Sequence, residues 1–464
     1  MRVTTAIHHA ADLLVAGAVA AGVLVTDAAK GAVLKRSVGR QHKARLLTLE
    51  ADYSLAAIRD MGLEEIITSR DLDGFFEHVW TVHPLVGAAP DDRGRTPPGP
   101  PSVTSVSSRH TMIEGKLQRS GRLAGWPTLN LVLAQRQLLG DLGRLVRRQR
   151  ISVIRASDPL YLGLVGLFLS RVHHLPLVIH LIANYDGTAF VDSAAYPRLF
   201  RRRSLEKRIE RFILPRSDLV AAGNADILEY AVNNGADRES ATVFLVGNLI
   251  DPIHFSWEPS ERPSVRHELG LADDEPFVIC VGRLEPLKHP DDVVRVIGES
   301  RLRQLGVKAV FVGEGTMRAQ LETLAVESGL DARLVFAGKR DQKWLARALA
   351  SATVVLSPLT GRALIEATLS GTAAVAYDID WQSELVIHAE TGLLVPYRDT
   401  NKMAEAVYDL VSQPAFAAAL GAAARVRTRH VMDPPRLLEH ERRAYSRLLS
   451  SPAPMAALTD QQNP

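Results

Sequence analysis

Residues 277–288 have the sequence Phe277-Val278-Ile279-Cys280-Val281-Gly282-Arg283-Leu284-Glu285-Pro286-Leu287-Lys288. The first five are apolar and rich in β-branched side chains, which predicts a buried strand. The glycine allows a tight turn out of that strand, and two cations, Arg283 and Lys288, follow on one loop. Because ligands bind beyond the carboxyl ends of parallel strands, such a loop can hold a diphosphate. The spacing alone is equally typical of a turn with solvated cations.

Apolar runs of this kind alternate with helical patterns along most of the chain. In the second half, the other predicted strands are Ala309–Val312, Arg333–Phe336, Thr353–Leu356, Ala373–Ala376 and Leu393–Val395. In the first half they are Arg45–Leu49, His78–Val82, Ile151–Arg155, Leu177–Ile182 and Leu219–Ala222. This alternation is expected of parallel sheets covered by helices on both faces. The sequence therefore predicts an α/β protein with two doubly wound sheets.

A chain of 464 residues is long enough for two or three domains. We expect an N-terminal extension or helix over 1–42, a first domain over 43–255 and a second domain over 256–432. A last helix and a tail are expected over 433–464, with the helix packing back across the first domain. The segment Ala88–Ser108 is rich in Pro, Gly, Asp and Ser, which predicts a long mobile loop instead of a strand.

The overall composition excludes several classes of protein. Hydrophobic residues make up 46% and charged residues 23% of the chain, as in folded globular proteins and unlike disordered ones. A net charge of +3 is too small to indicate nucleic-acid binding. The single cysteine, Cys280, excludes an internal disulfide framework and a cysteine-based zinc cluster, and its apolar neighbours predict a buried core residue.

The N-terminal segment Leu13–Thr26 is uncharged, but it is shorter than the roughly 20 residues that a membrane-spanning helix needs. It also lacks the order of features found in a signal peptide. A packed helix, an extension without fixed structure and attachment to a membrane surface remain as alternatives. We expect no cleaved export signal and a cytoplasmic protein, either free or peripheral on the inner face of the membrane.

The second half carries a series of short motifs in a fixed order. They are Gly282-Arg283-Leu284 with Lys288, Val312-Gly313-Glu314-Gly315, Phe336-Ala337-Gly338, Ser357-Pro358, Glu366-Ala367, Gly371-Thr372-Ala373-Ala374-Val375-Ala376, and Glu384 before Thr391–Pro396. This ordered set resembles the nucleotide domain of the family-4 retaining glycosyltransferases. The resemblance implies a GT-B fold, in which two Rossmann-like domains face a cleft. It also implies transfer of a sugar, with retention, from a nucleotide-sugar donor to a saccharide, lipid-linked or other acceptor.

The resemblance implies roles for individual residues. Arg283 and Lys288 would bind the donor diphosphate, and Glu366 would accept hydrogen bonds from ribose hydroxyls. The glycines of the strand-exit loops would let the backbone approach the nucleotide, and the loop after the third strand would lie near the base. The residues concerned are Gly282, Gly313, Gly315, Gly338 and Lys339.

The residues themselves also predict an anion site before Glu366. Gly361-Arg362-Ala363-Leu364 leads into a predicted helix, so its backbone N–H groups and the helix dipole can meet a phosphate. We therefore group Arg362 with Arg283 and Lys288 as candidate catalytic residues. A glutamate in the first turns of a helix is also favourable for purely structural reasons.

One family feature is missing. The family usually has an earlier glutamate that contacts the transferred sugar, but counting back from Glu366 reaches Pro358, or Thr360 if two residues are absent. Neither side chain is a carboxylate. Three alternatives follow: Arg362 or backbone groups replace that contact, the donor is a different one, or activity has been lost.

We expect no metal and no other cofactor, because Arg283, Lys288 and helix N-termini can stabilise a departing diphosphate. The pair Asp378 and Asp380, after a predicted strand, keeps a metal-using alternative open. A sugar-nucleotide epimerase or hydrolase on the same fold is a second alternative, and a catalytically inactive binding or scaffold protein is a third.

The first half offers candidates for the acceptor side of the cleft. Asn184, Tyr185 and Asp186 come just beyond a predicted strand, and Asn224 follows another, although asparagine there is equally natural as a helix cap. His180 is better interpreted as a core histidine than as a sugar contact.

Asn248 is a candidate for a hinge-side role. The basic runs 144–150 and 201–211 are typical of solvated helix faces, or would attract an anionic membrane or a phosphate-bearing acceptor.

Overall fold

The structure is a computed structural model, and it describes residues 43–51, 53–61, 63–87, 97–187, 202–245, 250–256 and 264–450. The expectations for 1–42, for Asn248 and for the tail after residue 450 lie outside the described residues. The chain divides into two compact units. The first takes in 43–184, 202–244 and 438–450 of the described residues, and the second takes in most of 245–437 with a short segment that begins at Tyr185.

The first unit is built on an eight-stranded sheet. Its strands are β1 Ala44–Leu49, β2 Phe76–Val86, β3 Ser102–Ser107, β4 His110–Lys116, β5 Val153–Ala156, β6 Leu177–Leu181, β7 Leu219–Ala222 and β8 Ala241–Val243. They lie in the order β3-β4-β2-β1-β5-β6-β7-β8, and only the edge strand β3 is antiparallel to its neighbour. The sheet is otherwise parallel, as predicted.

The expectation of a loop over Ala88–Ser108 is wrong for residues 102–107, whereas the described residues 97–101 are neither helix nor strand, as expected. Residues 102–107 form β3, which turns through Ser108 and Arg109 and pairs antiparallel with β4. The β-branched residues Val103, Thr104 and Val106 favour a strand, but the prolines and glycines just before them masked that signal. An edge strand needs apolar contacts on one face only, so its serines are compatible with the sheet.

The helices of the first unit cover both faces of the sheet. They are α1 Leu55–Met61, α2 Glu65–Thr68, α3 Pro127–Arg148, α4 Tyr161–His173, α5 Arg203–Ile213 and α6 Ala225–Asn233. The last helix of the described chain, α16 Pro434–Ser450, joins this unit from Leu438 onward. Its Tyr445 is fully buried and packs edge-on against Phe76, with ring centroids 5.1 Å apart.

The second unit contains a six-stranded sheet that is parallel throughout. Its strands are β9 Phe277–Val281, β10 Lys308–Val312, β11 Leu334–Gly338, β12 Val354–Ser357, β13 Ala374–Tyr377 and β14 Leu393–Val395. They lie in the order β11-β10-β9-β12-β13-β14, which is the doubly wound order of a Rossmann sheet. The fold class predicted from the sequence is confirmed, and every predicted strand of this half is present.

Alternate residues of β9 enter two different cores, one on each face of this sheet. Val278 and Cys280 belong to one core, whereas Phe277, Ile279 and Val281 belong to the other. Cys280 is therefore a buried core residue, as predicted. The covering helices are α7 Ile253–Ser256, α8 Pro290–Ile297, α9 Ser300–Gln304, α10 Arg318–Glu327, α11 Gln342–Ser351, α12 Arg362–Leu369, α13 Gln382–Leu385, α14 Thr400–Ser412 and α15 Pro414–Val431.

Candidate functional site

The strand order of the second sheet reverses between β9 and β12. The chain leaves β9 toward β10 on one side, and it leaves β12 toward β13 on the other. In open parallel sheets, a crevice forms at the carboxyl ends of the two strands where this reversal occurs, and ligands bind there. The loops that follow β9 and β12 contain the candidate residues Arg283, Lys288 and Arg362.

The loop after β9 is held by contacts on both sides of Arg283. The Gly282 N–H donates to the Val312 carbonyl at 3.0 Å, and the Leu284 N–H donates to the Glu314 carbonyl at 3.0 Å. The Glu285 carboxylate accepts from the Thr316 backbone N–H at 3.1 Å and from its hydroxyl at 2.7 Å. These bonds fix the loop, so Arg283 is presented outward from a defined backbone.

Gly313 and Gly315 are needed for this packing. A Cβ on Gly313 would lie 2.0 Å from the Gly282 carbonyl oxygen, and a Cβ on Gly315 would lie 2.3 Å from the Leu284 carbonyl oxygen. No side chain fits at either position, because the obstacle is backbone. The two glycines thus bring the loops after β9 and β10 together, and their predicted closeness to a nucleotide stays a prediction.

Lys288 and Gly361 bring the loops after β9 and β12 together. The Lys288 Nζ lies 3.4 Å from the point where a Cβ on Gly361 would be. Gly361 has φ 71° and ψ −131° and directly precedes the first residue of α12, Arg362. The first N–H groups of a helix have no partner within the helix, and they carry its positive end. The ammonium group of Lys288 therefore lies close to Gly361, the residue that precedes α12, and the Leu364 N–H donates to the Gly361 carbonyl at 2.9 Å.

The positive charge at this place is only partly compensated. Burial is the main reason that the pKa of the half-buried Lys288 falls to about 8, and the nearby charge of Arg283 lowers it further. Asp380 opposes the shift. A like-charge pair beside a helix N-terminus is unfavourable without an anion, so the arrangement favours binding of a phosphate or diphosphate.

The loop from Ser357 to Gly361 is fixed by its own unit. Ser357 and Thr360 are hydrogen-bonded through their hydroxyl groups. The buried Gln382 donates to the Pro358 carbonyl at 3.0 Å and to the Tyr377 carbonyl at 2.8 Å. Pro358 and Thr360, the positions considered for the missing glutamate, are both buried. A carboxylate at either position would lose its hydration, so a glutamate there would be unfavourable in this loop.

Glu366 lies inside the second unit, with 4% of its surface exposed. Burial raises the pKa of Glu366 to about 7; Arg362 acts in the opposite direction, and Asp251 adds to the rise. The Arg362 Nε atom is 3.9 Å from the nearer Glu366 oxygen. Glu366 is the fifth residue of α12, just after its first turn, and the structural explanation of this glutamate stays an alternative. A buried carboxyl group with a raised pKa is a candidate for function.

The loop after β11 lies at the same edge of the sheet. Gly338 has φ 69°, and its carbonyl accepts from the Gly313 N–H at 3.0 Å. A Cβ on Gly338 would lie 3.1 Å from a carboxylate oxygen of Glu314. Lys339 follows and is exposed. Contact of Gly338 and Lys339 with a base stays a prediction.

The acceptor-side candidates have partners of their own. The Asn184 side chain donates to the Asp226 carboxylate at 2.9 Å, while Tyr185 is half-buried and Asp186 exposed. The Asn224 side-chain oxygen Oδ1 accepts from the Ile227 N–H at 2.8 Å, so Asn224 caps α6. The helix-cap alternative therefore describes Asn224, and an acceptor role for these residues stays a prediction.

Sequence reasoning missed a group of charged residues at the reversal point of the first sheet, between β1 and β5. Arg155, on β5, donates to His180 Nδ1 at 2.6 Å. Burial lowers the pKa of His180 well below its usual range, with help from Arg155 and Arg70. Arg70 pairs with Glu50, which follows β1. His180 is thus a satisfied core histidine, and an arginine inside an apolar strand was the available signal for the group.

No group of three or more His, Cys, Asp or Glu side chains suited to a metal occurs in the part of the chain that the structure describes. Over the same part, no helix is both long and apolar enough to cross a bilayer.

Two families match the chain. The family described as "Glycosyl transferase 4-like domain" matches residues 9–247, just over half of the chain, and "Glycosyl transferases group 1" matches residues 261–427. Both descriptions agree with the resemblance seen in the sequence motifs.

Two relatives illustrate the sequence similarity. A D-inositol 3-phosphate glycosyltransferase of Nocardia farcinica is 32% identical over 259 residues, 53% of this chain and 55% of that protein. A GDP-mannose-dependent alpha-(1-6)-phosphatidylinositol monomannoside mannosyltransferase of Mycolicibacterium smegmatis is 30% identical over 187 residues, 38% of this chain and 49% of that protein. The chain thus spans about half the length of these relatives.

Similar solved structures share the fold. Sucrose-phosphate synthase from Thermosynechococcus elongatus has a TM-score of 0.65 and 20% identity, covering 88% of this chain and 99% of that one. Anabaena HepE in complex with UDP and glucose has a TM-score of 0.61 and 18% identity, covering 87% and 99%. At this identity, the likeness concerns the fold alone.

Proposed function

Because this chain belongs to the glycosyl transferase 4-like family, we propose that it transfers a sugar from a nucleotide-sugar donor to an acceptor. One observation carries the proposal: the ammonium group of Lys288 lies beside the N-terminus of α12, and the like charge of Arg283 lowers its pKa. A donor diphosphate supplies the negative charge that this arrangement lacks.

The same groups assist bond cleavage. When the bond between the anomeric carbon and the diphosphate oxygen breaks, negative charge develops on the departing diphosphate. We infer that Arg283, Lys288 and the N-terminus of α12 stabilise that charge. They provide positive charge where a metal ion would otherwise be used, and we propose transfer without a metal or other cofactor. Retention at the anomeric carbon is part of the proposal, on the strength of the family resemblance.

Glu366 is assigned to the donor's ribose. Ribose hydroxyls donate hydrogen bonds to a carboxylate, and a group whose pKa is about 7 is partly ionised at neutral pH. Arg362 occupies the first position of α12, where it can reach a phosphate or the transferred sugar. This placement supports the alternative in which Arg362 takes over the contact of the missing family glutamate.

For the acceptor, we propose a glycan or a lipid-linked compound. The names of two relatives specify an inositol phosphate and a phosphatidylinositol mannoside as acceptors. For the donor, one relative's name specifies GDP-mannose, whereas a solved structure of the same fold holds UDP. The donor base therefore has two concrete candidates.

Contact with an anionic membrane is the second part of the proposal. Helix α4 lies beside both α3 and α5, and Arg171 of α4 donates to the Arg216 carbonyl at 2.7 Å. Phe168 and Val172 on α4 are 46% and 45% exposed. Arginines also occur near the C-terminal ends of these three helices. We call Phe168, Val172 and these arginines the basic surface. The arginines are Arg144, Arg147, Arg148, Arg150, Arg171, Arg211 and Arg216.

The basic surface fits an anionic lipid surface, because each cation near such a surface contributes about 1 kcal/mol. Binding of the purified protein to phosphatidylcholine vesicles with and without phosphatidylglycerol tests this. We expect sedimentation only with the anionic vesicles, and loss of it in Arg147→Glu/Arg148→Glu. The variant Arg301→Glu, on the other unit, is the matched control. Equal binding by all three proteins would contradict this part of the proposal.

Transfer itself is tested in two steps. A thermal-shift screen with UDP, GDP, ADP and their sugars identifies the donor, because a ligand at a hundred times its Kd adds about 2.7 kcal/mol to stability. Single-turnover transfer to inositol phosphate and phosphatidylinositol acceptors then measures activity. Consumption of donor without acceptor would favour a hydrolase or epimerase. Tight binding of nucleotide without transfer to any acceptor would favour a scaffold protein.

A further inference from the structure

His289, the residue after Lys288, has an unusual backbone conformation. Its φ of 49° and ψ of 46° lie in the left-handed region. That conformation costs a residue with a side chain roughly 1–2 kcal/mol, and it persists only where surrounding contacts enforce it. His289 joins the turn of Lys288 to Pro290, the first residue of α8. Its conformation therefore sets the direction in which Lys288 leaves the chain.

The contacts that enforce it come from the segment after β14. The His289 ring has Tyr397 Oη at 2.9 Å from Nε2 and a guanidinium nitrogen of Arg398 at 2.6 Å from Nδ1. An arginine can only donate, so Nδ1 accepts, and Nε2 carries the proton and donates to Tyr397. Both ring nitrogens are occupied by residues more than a hundred positions further along the chain.

Arg398 is itself held in place. Its φ is 64°, so it is a second residue with a side chain in the left-handed region. Its guanidinium lies 3.0 Å from the carboxylate of Asp292, which is 1% exposed. The same carboxylate accepts from the hydroxyl of Tyr377, the last residue of β13, at 2.8 Å. Two strained residues are thus held together by a partly buried network that joins β13, the segment after β14 and α8.

The hydrogen-bond network of His289 lies next to Lys288, the cation near the N-terminus of α12. The Lys288 N–H donates to the Glu285 carbonyl at 2.8 Å, and the His289 N–H donates to the Pro286 carbonyl at 3.1 Å, so Lys288 and His289 belong to the same hydrogen-bonded turn. Burial and Arg398 lower the pKa of His289, Asp292 and Asp291 oppose the shift, and Lys288 adds slightly to it. The uncharged ring matches the hydrogen-bond pattern, since protonated Nδ1 would face Arg398.

We propose that His289 is a positioning residue for Lys288: the contacts with Tyr397 and Arg398 hold a strained backbone that directs the Lys288 ammonium group to the N-terminus of α12. This inference rests on the proposed binding of a donor diphosphate at that place. His289 does not itself contact the donor, and Tyr397, Arg398 and Asp292 act only through it.

A double-mutant cycle tests the inference. The variant His289→Gly adopts the left-handed backbone without strain but loses both side-chain anchors. We expect its affinity for UDP or GDP, measured by calorimetry, to fall about tenfold in the parent background and less than twofold in Lys288→Ala. His289→Asn, which tolerates the same backbone, should rescue part of the loss. Equal losses in both backgrounds would overturn the inference.

A second measurement does not depend on nucleotide binding. In protein labelled with ¹⁵N-lysine, NMR titration reports the pKa of the Lys288 ammonium group directly. We expect that pKa to move toward the usual value of lysine in His289→Gly and in Tyr397→Phe, which keeps the ring and removes one hydrogen bond, while Tyr408→Phe leaves it unchanged. An unmoved titration in both variants would overturn the inference. If the parent bound no nucleoside diphosphate, the proposed function would fail while this titration still decided the role of His289.

Discussion

Each of the two sheets has charged residues at the point where its strand order reverses, but the charges that surround these residues differ. At the reversal point of the first sheet, Arg70 pairs with Glu50, and Arg155 donates to His180 and lies near the carboxyl groups of Glu50 and Glu441, so carboxyl groups of the same unit offset these cations. At the reversal point of the second sheet, Arg283 and Lys288 carry like charges beside a helix N-terminus. A fold that neutralises its charges internally has little need of an anionic ligand. The only partly compensated group of Arg283 and Lys288 is therefore the better candidate for the donor site, and we assign the group of Arg70 and Arg155 to the framework.

The buried carboxyl group of Glu366 gives the largest expected effect. Its pKa is about 7 in the folded protein, above the usual value near 4.3 in an unfolded chain. The folded state therefore binds more protons between these values, and stability falls as pH rises from about 5 to 7. The free energy of unfolding should fall by on the order of 3 kcal/mol over this range. Glu366→Gln should abolish this pH dependence and should also weaken donor binding.

Urea unfolding at several pH values, with UDP and GDP binding at pH 7.5, measures both consequences. Glu327→Gln, an exposed glutamate on α10, is the control and should retain the parent's pH dependence. A Glu366→Gln protein that binds donor as well as the parent would return Glu366 to a structural role.

The two cations should differ in their contribution to donor binding. Arginine can make two parallel hydrogen bonds to a phosphate, whereas lysine acts as a point charge. Arg283→Ala should therefore weaken nucleotide binding by about 2 kcal/mol, and Lys288→Ala by less. Calorimetric titration of both variants, with Arg301→Ala as control, tests the comparison. Unchanged affinity in both would remove this loop from the site.

If Arg155 at the first reversal point belongs to the framework, its replacement should change stability and leave nucleotide binding unchanged. Arg155→Met should lower stability by about 1–2 kcal/mol, because it removes the hydrogen bond to His180 and the charge that faces Glu441. Nucleotide affinity should not change. Chemical unfolding and a binding titration of Arg155→Met, with the exposed Arg148→Met as control, measure the two effects. A large loss of affinity at full stability would mean that the first sheet also takes part in donor binding.

The contrast also explains what sequence reasoning could reach. Strands such as β9 are apolar on both faces, so each one can be recognised in the sequence as a continuous apolar run. β3 was missed because only one face of an edge strand needs apolar contacts. The approach of Lys288 to Gly361 joins residues far apart in the chain, and no local pattern encodes it. Asn224 has equally good local reasons to cap a helix or bind a ligand, and only the structure shows that its side chain caps α6.

The last prediction concerns the compact loop from Ser357 to Gly361, which leads into α12 beside Lys288. It asks whether this site transfers sugar or only binds nucleotide. Arg362 begins α12 and is about one-third exposed, whereas Thr360 is buried and hydrogen-bonded to Ser357. If Arg362 contacts the donor's phosphate or sugar in the transition state, Arg362→Ala should lower transfer at least tenfold, or about 1.4 kcal/mol in the barrier. Thr360→Ala should have a smaller effect on transfer, since its hydroxyl is used within the loop. Single-turnover rates with the identified donor and acceptor, compared at matched folding stability, give the answer. Equal rates for the parent and Arg362→Ala would leave the contact of the missing glutamate to backbone groups of the α12 N-terminus.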